Sequence, residues 1–441
     1  MNKQEWLETR DRYLMAQIRH QLYDEPLVLS HGKMDKLYDT DGKEYIDCFS
    51  GIMVVSLGHC NPEINEAIHR QLDTLCHVST FFLTPQMLEL AEELARITPE
   101  GLVRSYFVNS GSEAVDGAIL LARAYTGKDG VVPVTHAYHG RTLLGTVCTN
   151  VAPHGQTDPR AEEQHVVFGQ NGYCYRCPYG EQTPGCSLEC TRAVRRSVES
   201  CGPGGFAAIL LEPIQGVGGV ITPPADYLKE VQQIAWDHGG LLILDEVQSG
   251  FGRTGSMFYT SQIDGLNPDI LCMAKAMGNG LAAGAYIARD EVGEALKAPT
   301  FATFGGSPLA SAASLAVIHY MEEHRTPERA QRAGRRFRAG LREMQKDIEQ
   351  IGDLRGEGLF LGVELVRDRH SREPASEETL AILTECKRNG LIVGKSGQKT
   401  NVIRIGPPLI ISDDSIDRAL DILDLSIRKV FAGTSGGGPL G

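Results

Sequence analysis

No stretch of the 441 residues stays apolar for the roughly 20 positions that a membrane-spanning helix needs. The opening residues, MNKQEWLETRDRYLMAQ, hold no apolar core of the kind a secretion signal carries, and their acidic side chains do not suit a transit peptide. Basic charge is scarce as well. With 43 Lys and Arg against 56 Asp and Glu, the formal net charge is −13, which argues against a nucleic-acid partner and against an anionic membrane surface. Eleven cysteines, an odd number scattered through a long chain, do not make a disulfide framework and point to a reducing compartment. These absences lead to the expectation of a cytoplasmic protein with no nucleic-acid and no membrane partner. What is present is an ordinary soluble balance, 42% hydrophobic and 22% charged, in a chain long enough for a large core and two domains.

The stretch from Leu241 to Gly280 organises the reading. Residues 241–245, LLILD, form a continuous apolar run ending in an acid, the pattern of a strand buried on both faces. Asp245 is therefore placed at a strand's carboxyl end, where sheets of this kind bind ligands. A second run, Ile270 to Ala274, delivers Lys275 in the same way and breaks at once into Gly278, Asn279 and Gly280. A lysine among apolar groups loses its proton more readily, because desolvation disfavours the charged form, and a neutral amine can condense with an aldehyde. That suits a Schiff base with pyridoxal 5'-phosphate, whose ring nitrogen needs a neighbouring carboxylate if the ring is to act as an electron sink. Asp245 could supply it. Taken singly, Asp245 reads more readily as a strand-end cap and Lys275 as a solvated surface lysine; the pairing and the flanking glycines favour the cofactor.

Other segments carry weaker signals. Apolar positions at helical spacing (Trp6, Leu7, Tyr13, Leu14, Ile18) predict an N-terminal amphipathic helix over 5–21 that packs on its own domain or on a partner. KLYDTDGKEYIDCF, Lys36 to Phe49, reads as a hairpin turning at Asp41-Gly42. FSGIMVVSLGHCNP, residues 49–62, fits a loop approaching a ligand, although packing alone would also explain it. Thr84 and Pro85 mark a helix start. A strand from Ser105 to Val108 turns at Asn109-Ser110-Gly111-Ser112 into a helix, whose free N–H groups could hold a phosphate or be plainly capped. Tyr138, at the end of a strand over 131–135, could stack on a ring or anchor a core. Glu212 ends a buried strand and could orient site groups or cap the next turn. Thr303 lies in a polar turn opening a helix. Arg404 sits among apolar strand neighbours, an expensive place for a charge unless it is paired.

LDEVQSGFGRTG at 244–255, followed by MAKAMGNG at 273–280, resembles the signature of class III aminotransferases, pyridoxal-phosphate enzymes of fold type I. The resemblance runs from about Asp24 to about Val430. It implies an α/β fold: a large domain on a mostly parallel seven-stranded sheet covered by helices, and a small α+β domain drawn from both termini. The boundaries expected are 1–56 for the N-terminal part of the small domain and 57–306 for the large domain, with a Cys-rich insertion at 150–205. The rest of the small domain follows at 307–430 and a disordered tail at 431–441. The resemblance also implies roles. Gly111 and Ser112 hold the cofactor phosphate, Tyr138 stacks on the ring with His139 beside it, and Val247 lies on the opposite face. Gln248 bonds the phenolic oxygen, Glu212 supports the site, Asp245 meets the ring nitrogen and Lys275 forms the Schiff base. Thr303 reaches the phosphate of a neighbouring subunit in a homodimer or dimer of dimers, and Arg404 takes the substrate carboxylate.

FSGIMVVSLGHC, HVSTFF and EPIQGVGG resemble the alanine–glyoxylate and β-amino-acid–pyruvate branch most closely. The implied reaction moves an amino group from an amino acid or a β- or ω-amine to pyruvate or glyoxylate. Ornithine and 4-aminobutyrate enzymes, which use 2-oxoglutarate, carry a glutamate where this chain has Val217. Dialkylglycine decarboxylases carry polar side chains at Ile52 and Val217. A silent pyridoxal-phosphate-binding protein is a third alternative, disfavoured by the intact Lys275, Asp245 and Arg404. Finally, CYRCPYGEQTPGCSLEC places Cys174, Cys177, Cys186 and Cys190 as C-x2-C and C-x3-C pairs, a spacing that suits zinc or an iron–sulfur cluster, or simply free thiols in a packed loop.

Overall fold

The protein is described by a computed structural model covering residues 2–19, 22, 23, 25–151, 158–181 and 185–434. Three sheets organise it. The strands in chain order are β1 Leu29–Lys33, β2 Lys36–Asp39, β3 Glu44–Asp47, β4 Leu102–Val108, β5 Gly130–Pro133, β6 Phe206–Leu211 and β7 Leu241–Asp245. They continue as β8 Ile270–Met273, β9 Gly284–Arg289, β10 Ile351–Glu357, β11 Phe360–Leu365, β12 Leu391–Ile392, β13 Gly394–Ser396 and β14 Val402–Ile405. The central sheet runs β4-β9-β8-β7-β6-β5 and is parallel from β5 to β8, with β9 antiparallel to both its neighbours. Every residue of β6, β7 and β8 is buried, which is why these strands read as unbroken apolar runs.

Seven strands were expected and six are regular. The seventh lane, outside β5, is taken by Val166–Gly169, which bridges in parallel only at Val131–Val166 and Val134–Gly169. Val167 N donates to Val131 O at 3.1 Å and Gly169 N to Pro133 O at 2.8 Å. The bond that Pro133 would donate in return cannot form, because proline has no N–H, and the ladder is broken there.

One of the two smaller sheets joins the two ends of the chain. β12 pairs in parallel with β3, extending the N-terminal sheet β1-β2-β3-β12, while β10-β11-β14-β13 is antiparallel throughout. The β2–β3 hairpin turns at Gly42, φ 84°, as its sequence requires. Thr84 caps the helix Pro85–Ile97 by accepting from Met87 N. The last helix spans Asp413–Thr434, past the expected end at 430, and the remainder of the expected tail lies outside the described residues.

Two further expectations change. The N-terminal helix stops at Tyr13, a short 3-10 turn follows at Ala16–Arg19, and no residue of the helix is buried. Trp6, Tyr13, Leu14 and Ile18 stay exposed, so this stripe does not pack on its own chain. Within 150–205, read as lacking a period, a regular helix runs Glu189–Glu199. Its buried face, Thr191, Val194 and Val198, is only three residues wide and is hidden in sequence by the arginines between them.

Candidate active site

The carboxyl ends of β7 and β8 open into a cavity of about 420 Å³. Nine of the residues singled out from sequence line it: Gly111, Ser112, Tyr138, His139, Glu212, Asp245, Val247, Gln248 and Lys275. β8 is extended to Met273, and the chain then leaves the sheet so sharply that Lys275 takes φ 48°, a left-handed angle rare for a lysine. The 3-10 turn Lys275–Gly278 that it opens ends at Asn279, whose Oδ1 accepts from Leu57 N at 2.8 Å. Strain held by surrounding bonds is the pattern of a functional position.

Asp245 is buried, and its two oxygens have separate partners. Oδ2 lies 2.8 Å from His139 Nδ1, and Oδ1 accepts from Val247 N at 3.1 Å. His139 is therefore aimed at Asp245 rather than standing simply beside Tyr138. Its Nε2 is buried without a hydrogen-bond partner, an orphaned polar atom of the kind that calls for an explanation. Glu212 accepts from Tyr138 N at 3.0 Å and Gly216 N at 2.9 Å. Burial is the main force pushing its carboxyl up to about 7, with His139 opposing and Asp245 adding to the rise. Burial likewise lowers the Lys275 ammonium, Asp245 and Glu212 oppose it, and Arg404 reinforces it.

At the other end of the cavity the helix Gly111–Thr126 begins. Ser110 caps it by accepting from Glu113 N at 3.3 Å, and Glu113 accepts in turn from Asn109 N at 2.6 Å. The first N–H groups of any helix lack intrahelical acceptors, so those of Gly111 and Ser112 are offered to the cavity. Space there is tight. A Cβ at Gly111 would lie 2.9 Å from Val247, and one at Gly140 would lie 2.5 Å from Ser112 Oγ.

Arg404 stands one contact behind the cavity wall. It is 5% exposed on β14, its Nη1 donates to Gln248 Oε1 at 3.4 Å, and its guanidinium lies 5.3 Å from the centre of the Phe49 ring. Its Nε has no partner, and among the described residues no carboxylate is within 4.0 Å of it. Burial holds the guanidinium down to about 10, against the pull of Glu212. Val217 contributes its backbone oxygen to Gly397 N at 2.9 Å and does not line the cavity. Thr303 is exposed and outside the cavity.

Comparison with known proteins agrees with this geometry. Residues 19–427 match the family model described as Aminotransferase class-III. The chain belongs to the class III aminotransferases. Acetylornithine aminotransferase of Methanothermobacter thermautotrophicus is 38% identical over 426 residues, 96% of this chain and 98% of that one. Leucine/methionine racemase of Thermococcus litoralis is 37% identical over 439 residues, 99% and 98% of the two chains. Human mitochondrial alanine–glyoxylate aminotransferase 2 is 35% identical over 428 residues, 92% and 83%. A Bacillus anthracis aminotransferase of known structure superposes with a TM-score of 0.90 at 30% identity, covering 97% of this chain and all of that one. Class III aminotransferases act on small amines and oxo acids with pyridoxal phosphate. The residues here fit that cofactor: a lysine at a strand end, a buried Asp245–His139 pair, and a helix start cleared of side chains.

Sequence reasoning missed the turn at Ser50–Met53. Four successive residues there, Ser50, Gly51, Ile52 and Met53, have φ between 43° and 66°, a left-handed turn that precedes the cavity-lining Val54. For the three that are not glycine this costs about 1–2 kcal/mol each. Asp47 holds the turn by accepting from Phe49 N and Ser50 N, and Ser50 Oγ donates to Gly406 O at 2.6 Å. Only Gly51 hinted at it.

Proposed function

We propose that the chain moves an amino group from an amino acid or a β- or ω-amine to a small 2-oxo acid such as pyruvate or glyoxylate, in two half-reactions at one site. The observation that carries this reading is the convergence on one cavity of Lys275, the Asp245–His139 pair and, behind Gln248, a buried arginine without a carboxylate. When bound, pyridoxal phosphate supplies an aldehyde that takes up the amino group and a ring that withdraws electrons from the substrate carbon. Lys275 is the amine that meets this aldehyde in the resting enzyme. Once displaced, its Nζ, whose charged form burial disfavours, takes the proton from the carbon bearing the amino group. Asp245 holds a proton at the ring nitrogen, and His139 fixes the carboxylate that does so. Gly111 and Ser112 take the phosphate, Tyr138 and Val247 enclose the ring, and Gln248 meets its phenolic oxygen. Glu212, bonded to Tyr138 N and Gly216 N, keeps the surrounding loops in place. Any zinc or iron–sulfur cluster at the clustered cysteines stands outside these steps.

Arg404 is the carboxylate receptor. Its 3.4 Å bond to Gln248 is long enough to be exchanged for a charge-assisted, forked one. With no acidic group opposite it in either half-reaction, the site favours small monocarboxylate acceptors. Racemisation would need a second proton carrier at the substrate carbon. Both carboxylates in the cavity wall, Glu212 and Asp245, have their oxygens engaged, which supports transfer. Thr303 serves the phosphate of a second copy, so the working unit is a homodimer or a dimer of dimers. Beside it lie Phe81, Phe82, Leu83, Phe301 and Phe304, each more than half exposed, with Phe81 and Phe301 rings 5.2 Å apart. A patch of this kind supports a covered face. The cysteine usage supports a cytoplasmic setting. A screen of amine donors against pyruvate, glyoxylate and 2-oxoglutarate tests the reading: if 2-oxoglutarate is the best acceptor by far, the argument from Val217 and Arg404 falls.

A further inference from the structure

Cys174, Cys177, Cys186 and Cys190 meet at one small pocket away from the active site, walled also by Tyr173 and Tyr179. Its free interior is about 20 Å³, room for one water-sized body. All four cysteines are half-buried, and no disulfide links Cys177, Cys186 or Cys190. Sulfurs that share a site hold one another's protons on, and a cation among them reverses that preference.

The position matters to the rest of the molecule. Tyr173 and Arg176, on either side of Cys174, both reach Glu364, the arginine with Nε 2.5 Å from Oε1. Glu364 is fully buried and pairs with Arg355 at 2.7 Å, whose Nε donates to Gly219 O at 2.8 Å. Asn171 donates to Gln215 Oε1 at 2.9 Å. The cysteine segment thus leans on the loop 215–221 that follows Glu212, yet it has few apolar residues to hold its own shape.

We propose that Cys174, Cys177, Cys186 and Cys190 bind one zinc ion as a structural four-thiolate site that pins the stretch around Tyr173 to Arg176 against the C-terminal sheet. Zn²⁺ enters as four thiols lose four protons to solvent, four S–Zn bonds form, and nothing is oxidised or reduced. Zinc–sulfur bonds of about 2.3 Å set the sulfurs of a tetrahedron roughly 3.8 Å apart. Among the described residues no three of these sulfurs lie within 4.8 Å of one another, so the proposal requires the cysteine side chains to move inward when the ion binds. The interior suits a single ion rather than a four-iron cluster, and C-x2-C with C-x3-C brings two ligands from each side.

The test uses the full chain, purified without oxygen or chelator after growth with zinc supplied. Elemental analysis is expected to find about one zinc per chain, released by a mercurial thiol reagent. Cys177→Ser and Cys186→Ser are each expected to lose it, whereas Cys201→Ser, outside the pocket, keeps it. Zinc far below one equivalent, zinc unchanged in both pocket variants, or iron with acid-labile sulfide in its place would overturn the proposal. Should the serine variants fail to fold, exchange of cobalt into the wild-type chain decides: an intense near-ultraviolet thiolate-to-cobalt band is expected, and its absence counts against the site. None of these readouts depends on transamination.

Discussion

Replacing Arg404 with Met should stabilise the substrate-free protein while damaging its recognition of carboxylates. On β14 the guanidinium is 5% exposed, has one bond of 3.4 Å and leaves Nε unpartnered. Burial lowers it from the ordinary arginine range to about 10; at about 1.4 kcal/mol per pKa unit, holding the charge there costs about 3 kcal/mol. Methionine keeps most of the volume and carries no charge. With an unfolding entropy near 2.1 cal/mol/K per residue, a gain of that size raises Tm by about 3 °C for a chain of this length. A charge-assisted pair contributes about 1.5–3 kcal/mol, so kcat/KM for amino-acid donors and 2-oxo acids should fall roughly 10- to 150-fold. An amine donor lacking a carboxylate should lose little in its own half-reaction. The assays are thermal unfolding of the cofactor-free chain and half-reaction kinetics with L-alanine beside a simple arylalkylamine. A lower Tm together with equal losses for both donors would refute the reasoning.

Asp245→Asn should retain the cofactor but slow proton removal from the substrate carbon, because an amide cannot hold the ring's positive charge; an unchanged single-turnover rate would count decisively against the role. Lys275 is lowered from the ordinary lysine value, so it contributes no penalty at high pH and destabilises the cofactor-free chain as pH falls through its folded value. The rate of pyridoxal-phosphate uptake, followed by absorbance, should rise with pH and level off below 10.5, the ordinary value; a midpoint at or above that value would show the lysine unshifted. Ile52, at φ 66° and 41% exposed, should be better replaced by Asn, which tolerates left-handed angles. A stability gain of about 1 kcal/mol is expected, and a lower Tm for Ile52→Asn would show that the turn is not strained.

What could be read from sequence was what local patterns encode. β7 and β8 are fully buried, so their apolar runs announce both the strands and the residues they deliver, Asp245 and Lys275. Capping chemistry announced the helix start at Thr84, and the turn at 109–112 announced the one at Gly111. The unread features depend on contacts between distant segments. His139 meets Asp245 across 106 residues, and no periodicity shows which way its ring turns. The left-handed turn at 50–53 is held by the neighbouring Asp47 and by Gly406, 356 residues from Ser50. Pro133 removes one donor from the edge of the central sheet, a loss visible only once the neighbouring segment is known. Thr303 is exposed in the single chain, so the role proposed for it would require a surface supplied by another copy.

The most direct test of the central claim is the stoichiometry of a single half-reaction. The purified enzyme loaded with pyridoxal phosphate is mixed with L-alanine and other amine donors in the absence of any oxo acid, and the carbonyl product and the donor's stereochemistry are measured. Transfer through Lys275 is expected to release about one equivalent of oxo acid or carbonyl compound per cofactor with at least one donor, leaving the remaining donor unscrambled, and to release none in Lys275→Ala. Scrambled donor without carbonyl release, carbon dioxide in place of simple transfer, or equal product from Lys275→Ala would contradict it.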